Sequence, residues 1–153
     1  MKARMSASKF FLPALFAFSL IFSPLTASAQ DDSHVAIRLL PGQTQVKGGE
    51  TIKVGIEHTI APGWHTYWLN PGDSGTPARI SWTGIDGLKA STIEWPVPKR
   101  LPMGPLTNFG YEDNVVLLQD LTLPETIPGE PTVLTASVEI LVCQEICIPE
   151  THQ

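Results

Sequence analysis

The sequence predicts an all-β domain, an immunoglobulin-like sandwich of two sheets, on three observations. Beyond Ala29 the chain carries 12 Pro and 12 Gly, so few stretches longer than ten residues escape both helix breakers. Short runs with a period of two recur between turn signals. Seven or so such strands with no convincing helical segment describe a sandwich rather than a bundle.

The 153 residues allow one ordinary domain. Residues 1–29 read as a cleavable signal peptide: basic Lys2, Arg4 and Lys9, an apolar run from Phe10 to Phe22 interrupted by Pro13, then the small-x-small Ala27-Ser28-Ala29. The run is shorter than the roughly 20 residues that span hydrocarbon, so cleavage before Gln30 is expected and residues 30–153 form the exported domain. Three of the ten Lys+Arg fall in the signal, leaving seven against 15 acids, a formal charge of −8. That balance excludes a nucleic-acid binder, which needs clustered cations for phosphates.

Taken in order, Gln30 to Ser33 is a polar leader. Val35, Ile37 and Leu39 then alternate into the first strand, ended by Pro41-Gly42. Thr51 to His58 places Ile52, Val54 and Ile56 on one face and Lys53, Gly55 and Glu57 on the other, as a sheet with one wet side requires. After a turn at Ala61-Pro62-Gly63, an extended Trp64–Trp68 puts Trp64, Thr66 and Trp68 on one face and His65 and Tyr67 on the other. Asn70 to Gly75 is turn chemistry. Ala78–Trp82 and Ser91–Trp95 are strand candidates, and Trp64, Trp82 and Trp95 are expected to supply core. Four prolines between Pro96 and Pro105 make that stretch a connection or sheet edge, and Leu106 to Asp113 is expected as a loop. Val115–Leu123 suits a buried strand. Thr132 to Ile148 is the longest Pro/Gly-free run of the exported part, with Val133, Val138, Ile140 and Val142 favouring strand.

The chemistry concentrates at Cys143 and Cys147. Leu134, Ala136, Val138, Ile140 and Val142 share a face, so parity puts Cys143 on the other. A tight reversal over Gln144-Glu145-Ile146 would bring the Cα atoms into the disulfide window of about 4.4 to 6.8 Å. As a staple such a bridge is poor, since a five-residue ring contributes roughly 2 kcal/mol against about 4.7 for a 100-residue loop. Redox exchange therefore fits the spacing better, with an inert structural bridge and metal binding as the alternatives. In the metal alternative, Met103, His65 and His152 would join the thiolates around Cu(I) in a copper-handling module. Glu139, Glu145 and Glu150 flank the pair with no nearby Lys or Arg, which disfavours thiolate unless the fold brings a cation across.

Four ordered blocks carry a family resemblance: Gly63-Trp64-His65-Thr66-Tyr67-Trp68-Leu69-Asn70-Pro71-Gly72-Asp73-Ser74-Gly75, Trp95-Pro96-Val97-Pro98, Phe109-Gly110-Tyr111, and Leu141 to Glu150 around the cysteines. Over nearly all of Val35 to Glu150 the chain resembles the amino-terminal periplasmic domain of the thiol:disulfide interchange protein DsbD, especially its ScsB-like branch. The resemblance implies an immunoglobulin-like domain of the periplasm. It implies that Cys143 and Cys147 take electrons from a membrane-embedded reductase domain and pass them to oxidised thioredoxin-like proteins, with no cofactor. It further implies that Cys147 forms the mixed disulfide, that Phe109 covers the oxidised pair, and that Tyr111, His65 and Tyr67 line the access. Cytochrome c biogenesis, disulfide isomerisation and copper tolerance are the pathways such domains imply, and a longer form would be tethered to the inner membrane. The chain departs from the better-known branch in its shorter cysteine spacing and in Thr107 and Asn108, where that branch has an acidic residue beside the cap. Because Gln153 lies six residues past Cys147, the domain is expected to be cut short and the returning strand of the cysteine hairpin hardly present.

Overall fold

The computed structural model describes residues 33–127, 129 and 131–153; the expected signal peptide lies outside them. Among the described residues there are ten strands and no helix. They are β1 (Val35–Pro41), β2 (Thr51–Ile60), β3 (Thr66–Gly72), β4 (Arg79–Thr83), β5 (Lys89–Ala90), β6 (Lys99–Met103), β7 (Leu106–Tyr111), β8 (Asn114–Thr122), β9 (Thr135–Cys143) and β10 (Cys147–His152). The strands form three antiparallel sheets ordered β1-β2-β8-β5, β10-β9-β4 and β3-β7-β6. An isolated bridge between His65 and Cys143 joins the last two at a seam.

The core lies where the faces of β2 and β8 meet those of β9 and β7. Ile56, Ile60, Val115 and Leu117 pack with Tyr111, Ala136, Val138, Ile140 and Val142, as the alternation of β2, β8 and β9 requires. Trp64, Trp68, Trp82 and Trp95 are half-buried against this cluster, so the tryptophans wall the core rather than fill its centre. Trp82 keeps its indole N–H satisfied by donating to Gln119 Oε1 at 2.8 Å.

Three expectations need correction. Leu106–Tyr111 is not a loop but β7, the middle strand between β3 and β6. Its Asn and Gly read as turn residues, yet Gly110 is there for close approach: a Cβ would stand 1.9 Å from Thr66 O. Asn108 is fully buried and hydrogen-bonded, so it is a core polar residue. Ser91–Trp95 is not a strand: it meets β8 through the lone bridge Glu94–Leu118 and through Ser91 N, which donates to Asp120 O at 2.8 Å, while Gln119 Nε2 takes the Ser91 carbonyl at 2.6 Å. The returning strand of the cysteine hairpin is present: β10 pairs with β9 at all six residues, Cys147 to His152. Pro149 sits on this edge strand and removes a donor from it, which blunts the edge against further pairing. The proline-rich segment behaves as expected, with β6 at the outer edge of its sheet.

Candidate active site

Cys143 ends β9 and Cys147 starts β10, directly opposite one another. Cys143 exchanges both backbone hydrogen bonds with His65, N to O at 3.0 Å and O from N at 2.9 Å. Its pairing with Cys147 on the other flank is therefore of the non-hydrogen-bonded kind, in which side chains come closest. The reversal closes through Gln144 N to Ile146 O at 3.0 Å, and the sulfurs form a disulfide with Cα atoms 4.1 Å apart, a little closer than the lower edge of the expected window. The two ends differ sharply in access: Cys143 is 0% exposed, whereas Cys147 is exposed.

The bridge His65–Cys143 also sets what faces the sulfurs. Trp64 and Trp68 pack on the core, so the intervening His65 and Tyr67 point the other way. Tyr67, 2% exposed, donates its hydroxyl to Cys143 Sγ at 2.9 Å and lies 3.8 Å from Cys147 Sγ. His65 Nε2 stands 3.3 Å behind that hydroxyl, the two rings meeting edge to face at 5.2 Å. Burial pushes the Tyr67 hydroxyl above its ordinary pKa, partly opposed by a hydrogen bond with Ser74, so it stays a neutral donor. Burial likewise holds His65 below the usual imidazole value, with Glu112 acting in opposition. The donor that the fold brings to the sulfurs is thus a phenol, where the sequence had suggested a need for a cation.

A buried cysteine bonded to an exposed one is a disulfide open to attack from one side only. The family described as "Thiol:disulfide interchange protein DsbD, N-terminal" matches residues 36–153. The chain belongs to this family. Its fold is also similar to that in the crystal structure of the N-terminal periplasmic domain of ScsB from Proteus mirabilis, with a TM-score of 0.63 and 24% identity, covering 82% of this chain. The chain spans 47% of that ScsB chain. No curated protein gives a significant match.

As a member of the DsbD amino-terminal family, the chain places its remaining expected site residues unevenly. Phe109 is half-buried on β7 opposite Arg100, and its ring edge lies over Gly72, where a Cβ would meet Cδ2 at 3.3 Å. Tyr111 is a core residue: its ring joins the main cluster, its hydroxyl donates to Pro96 O at 2.8 Å, and burial pushes it up to about 12. The copper alternative would gather Met103 and His152 at the sulfurs. Instead Met103 Sδ accepts from Asn108 Nδ2 at 3.2 Å, and His152 Nε2 contacts Glu150 at 3.1 Å. Among the described residues no group of His, Cys, Asp and Glu is arranged to hold a metal.

The sequence reading missed the groups that hold this DsbD-type site in place. Gly75, at φ 92°, lays its backbone on the Tyr67 ring, and a Cβ there would fall 2.2 Å from Cε1. Asn108 Oδ1 fixes this loop by accepting from Ser74 N at 3.0 Å. Asp73 adds a carboxylate contact to Thr107 N at 2.7 Å. At the other end, inward-facing Glu150 ties β10 to the start of the domain, accepting from Ser33 Oγ and His34 N, each at 2.8 Å, and contacting His34 Nδ1 at 3.0 Å. Burial raises the Glu150 carboxyl, but hydrogen bonds from His34, Ser33 and His152 outweigh it and hold the group below the usual carboxylate range. The turn residues Asn70–Gly75 were the one available signal for the loop; its contact with Tyr67 depends on tertiary packing.

Proposed function

We propose that the chain is a periplasmic thiol-disulfide exchange domain that relays electrons from a membrane-embedded reductase domain to oxidised thioredoxin-like proteins through Cys143 and Cys147. The observation that carries this reading is the asymmetry of the pair: an exposed Cys147 bonded to a buried Cys143 whose sulfur accepts a hydrogen bond from Tyr67. Family membership supports the class of chemistry.

A donor thiolate attacks the accessible Cys147 Sγ. A new S–S bond forms, the Cys143–Cys147 bond breaks, and Cys143 takes the electron pair as the leaving group beside the Tyr67 hydroxyl. A second donor thiolate then attacks the mixed disulfide, leaving the donor oxidised and Cys147 reduced. Discharge reverses the order: Cys147 thiolate attacks a disulfide of the acceptor, and Cys143 resolves the complex by re-forming the internal bond. Two electrons pass in each half, and no cofactor takes part.

Removing the resolving thiol tests this. Reduced Cys143→Ala incubated with an oxidised thioredoxin-like protein should accumulate a covalent complex through Cys147, seen on non-reducing gels, whereas Cys147→Ala should give none. Failure of both variants to form a complex would refute the exchange reading. An inert bridge would instead show a midpoint potential below about −300 mV.

A further inference from the structure

Exchange at Cys147 leaves negative charge in an unfavourable place. Cys143 Sγ is fully buried, and the chain on either side of it carries Glu139 and Glu145. A bare thiolate there is costly, because burial disfavours the charged form and, among the described residues, no cation donates to the sulfur. Tyr67 can soften the charge with one hydrogen bond. It can also hand over its proton, but a tyrosinate left in the same buried spot is disfavoured for the same reason.

The group that removes the difficulty stands behind the phenol. His65 Nε2, Tyr67 Oη and Cys143 Sγ form a line of contacts of 3.3 and 2.9 Å. Because Tyr67 has one proton and directs it to the sulfur, the imidazole donates to the phenol oxygen through an Nε2–H. We propose that His65 and Tyr67 form a proton route to Cys143, His65 supplying the proton when the disulfide is opened and taking it back when Cys143 resolves a mixed disulfide. This rests on the exchange reading above and extends it to the fate of the proton.

In the opening step the attacking thiolate bonds to Cys147 Sγ and the Cys143–Cys147 electron pair goes to Cys143 Sγ. The Tyr67 hydroxyl proton moves to that sulfur, and the Nε2 proton of an imidazolium His65 moves to the Tyr67 oxygen. The products are a mixed disulfide, a neutral Cys143 thiol, an intact phenol and a neutral imidazole, so charge and protons balance. In resolution each transfer runs backwards, and neutral His65 is the acceptor. The groups facing His65 are Tyr67, Cys143 and, electrostatically, Glu112, which is itself paired with Lys99 at 3.3 Å. Burial keeps His65 mostly neutral near pH 7, ready to accept, and its cationic form becomes more abundant only as pH falls. His65 acts through Tyr67 and is a positioning and proton-supplying residue; Tyr67 is the group in contact with the reacting sulfur.

The test uses the full chain and dithiothreitol as the reductant. Reduction of the Cys143–Cys147 disulfide is followed as a function of pH, and each rate is divided by the fraction of dithiothreitol present as thiolate. In the unaltered protein this normalised constant should fall by at least about tenfold between about pH 5 and about pH 8, as the protonated donor disappears. His65→Gln preserves the backbone bridge and a hydrogen bond to Tyr67 but cannot titrate, so its profile should be flat. Tyr67→Phe, nearly isosteric, should be slow and flat. A flat profile in the unaltered protein, or the same slope in His65→Gln, overturns the proton route while leaving exchange intact. A disulfide that dithiothreitol does not open at any pH overturns both the route and the exchange reading.

Discussion

His58 makes the stability of the domain depend on pH in a window that can be worked out from its surroundings. The residue lies on the inner face of β2, 1% exposed, and neither ring nitrogen has a hydrogen-bond partner among the described residues. Burial first, and then the proximity of His152, push its pKa down from 6.5 to about 4. As pH falls below 6.5 the unfolded chain takes up a proton that the folded chain refuses until about 4. The unfolded state therefore binds more protons across this interval. The contribution of neutral His58 is fully present above 6.5 and is lost progressively as pH drops towards 4. At about 1.4 kcal/mol per pH unit, the gap is worth about 3 kcal/mol, a large share of the roughly 5–15 kcal/mol that holds a domain together. Urea unfolding of the unaltered protein and of His58→Leu, compared from pH 7 to about 4, should show curves that diverge by about this amount, the variant losing less. The depressed Glu150 carboxyl contributes its own loss below its ordinary value of 4.5, mostly outside the His58 window. Parallel curves for the two proteins would refute the assignment.

Gly75→Ala should cost about 1–3 kcal/mol in urea unfolding, since the backbone there is left-handed and the new Cβ enters the Tyr67 ring. The same variant should slow dithiothreitol reduction of the disulfide as Tyr67 is displaced; an unchanged rate would show that the loop does not position the phenol. Glu150→Gln should cost about 2 kcal/mol at neutral pH, because a charged acceptor of several hydrogen bonds is replaced by a neutral amide. Hydrogen exchange should locate the loss in β10, and a loss spread evenly over the sheets would contradict its role as the tie of that strand.

Period and parity made much of this legible in the sequence. The faces of β2, β8 and β9, the separation of Cys143 from the core face, and the opposition of His65 and Tyr67 to Trp64 and Trp68 all follow from alternation within one strand. What lay beyond reach depends on pairing between distant segments. The bridge His65–Cys143, which brings Tyr67 to the sulfur, joins residues 78 apart, and nothing local encodes it. Gly110 and Asn108 lie in the stretch Leu106 to Asp113, expected as a loop. Here one permits two backbones to touch and the other is a buried clamp on the Ser74 loop. The return of β10 was underestimated because six residues suffice for a strand when one inward side chain, Glu150, is held by partners from the opposite end of the domain.

The weakness of the disulfide as a staple follows from the same arrangement and suits exchange. Cys143 is held on one flank by two backbone hydrogen bonds to His65 and on the other by a ladder in which β10 runs the full six residues beside β9. Opening the S–S bond removes neither set. The strand positions, the Tyr67 hydroxyl and the Glu150 tie are all independent of it, so oxidised and reduced forms can share one backbone. A bridge that closed a long loop would stabilise more and would also couple its cleavage to partial unfolding. A five-residue ring inside an already paired hairpin avoids that coupling, and the reacting sulfurs stay in register for the partner whichever way the electrons run.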